Sequence, residues 1–111
     1  MPLANILSIA PDSQGWDTFF FDHARDHEDI RTAIQKLLHI NLPTYVIDPV
    51  SKVDFQGFLE RHQQFHNDFN GVLNLNGNDL TGLDPNKPAE LSAWLFLNFS
   101  EHQNARSALA I

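Results

Sequence analysis

Apolar residues recur along this chain at alternating steps of three and four in three separate stretches, which is the spacing of one face of an α-helix. The first stripe is Trp16, Phe20, His23, His27, Ile30, Ile34 and Leu37. The second is Phe55, Leu59, His62, His66, Phe69 and Leu73, and the third is Leu91, Leu95, Asn98, His102, Ala105 and Leu109. Each stripe is interrupted at two consecutive positions by histidine or asparagine, with apolar positions on both sides. The pattern therefore predicts an all-α fold of three main helices, built from one degenerate helical repeat used three times. Two polar layers cross its core, His23 with His62 and Asn98, and His27 with His66 and His102. The spacing does not fix helix direction. If the helices run up, down and up, the second is reversed and His23 could meet His66 instead.

Local signals bound the elements within a single domain spanning residues 1–111. Residues 1–11 form an N-terminal arm, docked on the domain or lying on a partner. Asp12 or Ser13 can cap a first helix within residues 12–40, which should run to about Leu38. Residues 41–50 hold Pro43, Pro49 and the run Tyr45-Val46-Ile47, which reads as an extended linker. Ser51-Lys52-Val53-Asp54 resembles a capping box and opens a second helix over 51–73. Gly57 and Gly71 each weaken that helix by roughly 1 kcal/mol relative to alanine. Residues 74–86, rich in Asn, Asp and Gly, form a loop, with Leu75, Leu80 and Leu83 expected to pin it to the helices. The third helix occupies 87–110, with Pro88 tolerated in its first turn.

Composition narrows the class. A chain of 111 residues builds one modest core, and 42% hydrophobic content argues for a folded protein. A formal charge of −7, with seven scattered basic residues, argues against nucleic-acid binding. No stretch has the length and apolarity of a membrane span, and residues 1–11 lack the basic start of a signal peptide. The absence of cysteine excludes disulfides and thiolate metal sites. The loop lacks the carboxylate series of a calcium-binding loop.

Chemistry concentrates in the histidines. His23 with His27, and His62 with His66, sit four apart and project from one helix face each. His102 occupies the equivalent of His27 and His66. Imidazoles converging in a bundle can hold zinc or another borderline metal, with Asp22, Asp26 and Glu101 placed to orient them. The chain has neither Glu-x-x-His nor His-Glu-x-x-His. The preferred reading of the layers is a buried hydrogen-bonded network, because imidazole and amide both donate and accept and such layers fix register. On that reading no cofactor is expected, and His27, His66 and His102 stand as the metal candidates. Catalysis needs a nucleophile or a poised carboxylate. Ser100 and Ser107 have no evident partner, so the expectation is a protein that is not an enzyme.

Aromatic residues exceed what one stripe per helix uses. Ala93-Trp94-Leu95-Phe96-Leu97-Asn98-Phe99 is apolar nearly all the way round, so Trp94, Phe96 and Phe99 are candidates for an interface with another chain.

The runs Arg61-His62-Gln63-Gln64-Phe65-His66-Asn67-Asp68-Phe69-Asn70, Gly77-Asn78-Asp79-Leu80 and Trp94-Leu95-Phe96-Leu97-Asn98-Phe99-Ser100-Glu101-His102-Gln103 resemble a group of short, poorly characterised proteins of tailed bacteriophages, whose reading frames lie among virion structural genes. The resemblance runs from Leu42 onward and carries over no active site. It implies a minor structural protein of the virion, at the head–tail junction, tail or capsid surface, assembled in the host cytoplasm. Its partners would be other virion proteins or copies of itself, docked through aromatic surface, with no direct nucleic acid and no membrane. The alternative from another class is a small metal-binding helical bundle that uses the clustered histidines.

Overall fold

The computed structural model describes residues 14–43, 55–82 and 87–111, and the side chains of the first helix from Asp22 onward. The arm 1–11, caps Asp12 and Ser13, the side chains of Trp16, Phe19, Phe20, Phe21, Phe55 and Leu91, the linker from 44 to 50, the box at 51–54 and Leu83 lie outside the described residues. Among the described residues three helices make up the fold: α1 (Gln14–Leu38), α2 (Phe55–Leu73) and α3 (Pro88–Leu109). No helix among the described residues is long and apolar enough to cross a membrane.

Each helix is followed by a non-glycine residue with positive φ: His39 at 58°, Asn74 at 56° and Ala110 at 58°. Behind Asn74, Leu75 N–H donates to Asn70 O at 2.9 Å, and behind Ala110, Ile111 N–H donates to Arg106 O at 3.0 Å. These bonds satisfy carbonyls that a helix C-terminus otherwise leaves orphaned. The repeat read from the stripes thus extends to the way the helices end.

All three helices run in the same direction. On one side of the polar layers Phe58 packs near Trp94, with ring centroids 6.1 Å apart. On the other side Ile30, Ile34, Phe65, Phe69, Ala105 and Leu109 form one apolar cluster. In every helix the layer residues precede the members at positions 30 and 34, 69, or 105 and 109, so the three chain directions agree.

Parallel neighbours require the chain to return after each helix. Fourteen residues separate Leu73 from Pro88, enough for up to about 46 Å, while α3 is about 33 Å long. The return is visible in contacts. Leu75 packs on the apolar cluster. Asn78 N–H then donates to Glu101 at 2.9 Å, and Leu80 O accepts Trp94 Nε1–H at 2.8 Å. Moving forward along the loop, the partners move backward along α3. Leu80 is buried and Leu75 half-buried, as expected of loop anchors.

Two expectations are corrected. Leu37, read as part of the first stripe, is 57% exposed, because α1 outruns the cluster that ends at Ile34. Trp94, read as an interface residue, is buried within the chain against Phe58, His62 and the loop at Leu80. Phe96, at 64% exposure, and Phe99, at 36%, do reach the surface.

Candidate metal centre

The parallel arrangement brings the polar residues together by repeat number. In the first layer His23 Nε2 lies 3.1 Å from Asn98 Oδ1 and 3.3 Å from His62 Nε2. His62 Nε2 lies 2.9 Å from the same Oδ1. In the second layer His27 Nε2 is 3.1 Å from His66 Nε2 and 2.9 Å from His102 Nε2. His66 and His102 close that triangle at 3.1 Å. The layers also touch, since His23 Nε2 sits 2.9 Å from His102 Nε2. One ring nitrogen from each of the five histidines falls within 4.8 Å of all the others. His23, His27, His62, His66, Asn98 and His102 are all buried.

Two of the rings are oriented from behind by carboxylates. His66 Nδ1–H donates to Glu101 Oε1 at 3.0 Å, and His102 Nδ1–H donates to Asp26 Oδ2 at 2.5 Å. Glu101 is 1% exposed. Besides His66 it accepts from Asn70 Nδ2 at 2.7 Å, Asn78 N at 2.9 Å and Asn78 Nδ2 at 3.0 Å. Arg106 holds the other oxygen of Asp26 at 2.5 Å. Burial pushes the Asp26 carboxyl upward, but the His102 bond and charge and the Arg106 guanidinium outweigh it and hold the group below its ordinary value.

Those carboxylates set the tautomer. With the proton on Nδ1, the Nε2 of His66 and of His102 each present a lone pair to the cluster. The four rings of His23, His27, His62 and His66 resist taking a second proton. Desolvation is the largest cause for each, and the charges that neighbouring histidines would carry add to it.

The inner atoms make seven close contacts with one another. Neutral His23, His27 and His62 supply at most one Nε2–H each, and His66 and His102 supply none, because a neutral imidazole has one donor. At most three contacts are therefore linear hydrogen bonds, and the other four share a proton already used elsewhere or have none between them. Where both rings carry a single proton, on Nδ1, the contact between His66 and His102 sets two lone pairs face to face. A single cation at the centre would satisfy all the inward lone pairs together. Among the described residues, His62 Nδ1 and Asn98 Nδ2 are buried without a hydrogen-bond partner, so the inward orientation of both side chains is not secured from behind.

Of the three acidic residues placed as supports, Asp26 and Glu101 act on the rings, whereas Asp22 is exposed. Asn70, Asn78 and Arg106 were not legible as part of the site. Their only sequence signal is Asn70 falling four residues after His66, and Arg106 four after His102, on the same helix faces. The chain matches no family model, no curated protein and no solved structure.

Proposed function

We propose that this chain is a metal-binding helical domain that closes three parallel helices around one divalent transition-metal ion. The observation that carries the reading is the mutual approach of His66 Nε2 and His102 Nε2, 3.1 Å apart, each with Nδ1 bound to a carboxylate. Such carboxylate–histidine pairs fix tautomer and ring direction at metal sites and raise ligand basicity. Asp26 and Glu101 bring negative charge to the edge of the cluster, and Arg106 balances only part of it. Imidazole donors suit zinc, copper, iron, cobalt and nickel.

The rival reading of the same residues is a buried hydrogen-bonded network, and their convergence supports metal binding over it. A network accommodates histidines that meet in pairs. Seven short contacts with few protons to share suit it less well. The role is structural or electron-transferring rather than hydrolytic, since the ligating atoms are buried and surrounded by one another. The ion would hold the register of the three helices, the task that polar layers otherwise perform at a cost in stability.

The test is titration of chelator-stripped, untagged protein with each divalent ion, read by calorimetry and by melting temperature. Wild type should bind one equivalent and melt higher with metal. The double variant His66→Ala with His102→Ala should lose both effects. Absence of binding by wild type for every ion sinks the reading.

Where such a domain works is a second proposal. The likeness to virion proteins and the exposed ring of Phe96 support a metal-stapled module docked in a phage particle through that face of α3. Mass spectrometry of purified particles tests it, and the protein's absence from them would count against it.

A further inference from the structure

We infer that the centre is six-coordinate, with five histidine nitrogens and the side-chain oxygen of Asn98 as ligands, and that it takes a divalent ion of the iron, cobalt and nickel class rather than tetrahedral zinc. This rests on the metal-binding reading and deepens it by naming the ion class.

Each of three parallel helices contributes one i, i+4 pair. The earlier members, His23, His62 and Asn98, form one triangle, and the later members, His27, His66 and His102, form the next. Two stacked triangles of donors, staggered around a common axis, are the opposite faces of an octahedron. An antiparallel helix would still supply two donors, but only parallel helices place the equivalent member of every repeat in the same triangle.

For metal–nitrogen bonds of about 2.1 Å, neighbouring donors of an octahedron lie about 3.0 Å apart and opposite donors about 4.2 Å, whereas every pair in a tetrahedron lies about 3.4 Å apart. The close contacts within the cluster measure 2.9 to 3.3 Å. All five histidine donors lie within 4.8 Å of one another. Edges this short fit six positions better than four. The rings of His23 and His66 are well separated, with centroids 6.3 Å apart, as expected of opposite corners.

The Asn98 oxygen faces His23 and His62, while its buried Nδ2 has no partner among the described residues. In the metal-free chain this oxygen can accept Nε2–H from His23 and His62. The same inward oxygen is available to a cation once those rings carry their proton on Nδ1. Structural zinc sites are almost always closed by four ligands, which would leave two donors of this set idle in a dry core. Copper(II) favours a tetragonal arrangement, and manganese favours oxygen donors.

Cobalt(II) is the probe, because its visible absorption reports coordination number: weak for six ligands, intense for four and intermediate for five. The stripped wild-type protein should bind one equivalent of cobalt(II) with weak absorption. Asn98→Ala should strengthen the absorption and weaken binding by roughly tenfold or more. Asn98→His, which completes the first triangle with a third imidazole, should keep the weak spectrum and bind at least as tightly as wild type. This second variant keeps the inference falsifiable if Asn98→Ala does not fold. Binding with an intense, four-coordinate spectrum overturns the six-coordinate assignment and leaves the metal-binding reading standing. No cobalt(II) binding at all, with none of the other ions bound either, overturns both.

Discussion

His66 Nε2 and His102 Nε2 face each other across 3.1 Å in the bundle core, and each ring is held from behind by a carboxylate, Glu101 for one and Asp26 for the other. Both rings thus turn acceptors toward one point. The remaining histidines, from α1 and the earlier turn of α2, converge there as well.

The carboxylate behind His66 should matter for metal and not for folding alone. Glu101→Gln keeps the volume and an acceptor for His66 while removing the charge. Loss of an orienting partner of this kind typically weakens metal binding by about 10- to 100-fold. The expected result is weaker binding at unchanged stoichiometry, measured by competition with a chelator of known affinity. Unchanged affinity would show that Glu101 serves only the loop at Asn78.

Acid should destabilise the metal-free protein. His23, His27, His62 and His66 have folded pKa values lowered, first by desolvation and then by neighbouring histidines. The unfolded chain titrates near 6.5. Below that value it binds protons that the fold excludes, so stability falls with falling pH. Asp26 works in the same direction, since its lowered carboxyl stabilises the fold above its ordinary pKa, but its contribution is lost only at much lower pH. The melting temperature with chelator present should drop clearly between about pH 7.5 and about pH 5. A flat profile contradicts burial of neutral rings.

The two glycines near the end of α2 should respond in opposite directions. A Cβ on Gly71 meets nothing within 4 Å, so Gly71→Ala should stabilise by about 0.5–1 kcal/mol through helix propensity. A Cβ on Gly77 would come within 2.9 Å of Asn70 Nδ2, the group that donates to Glu101. Gly77→Ala should destabilise by about 1–3 kcal/mol and weaken metal binding. Denaturant unfolding checks both, and equal responses would show that the loop does not pack as described.

Aromatic truncation separates core from surface on α3. Trp94→Ala should cost about 3–5 kcal/mol of folding stability, because its ring is buried and its Nε1–H is bonded to Leu80 O. Phe96→Ala should stay within about 0.5 kcal/mol, because the ring is 64% exposed. If the chain self-associates or joins a particle through α3, Phe96→Ala should weaken that contact while the helical signal persists. Sedimentation with circular dichroism reads both properties. Strong unfolding by Phe96→Ala would contradict its surface placement.

Much of the fold was legible because the stripes carry it. The helical spacing set the three elements, and the two polar positions in each stripe named all six residues that meet. Direction was not legible. The same stripe serves a parallel or a reversed helix, and only the return of the loop past Glu101 and Trp94 decides between them. The chemistry depended on that direction, since pairwise hydrogen bonding and six-fold convergence use the same residues. Trp94 was misplaced because it lies off its stripe; the loop at Leu80 gives it a second buried face that helical spacing does not encode.

The most direct measurement is the number of transition-metal ions carried by each folded, untagged chain, read by elemental analysis together with native mass spectrometry. The predicted result is about one ion per chain after dialysis against the preferred metal. That ion should be lost in the His66→Ala, His102→Ala double variant, and the melting temperature should fall when a chelator strips it from wild type. A folded wild-type chain that stays metal-free against every divalent ion, and melts identically with and without chelator, would contradict the account.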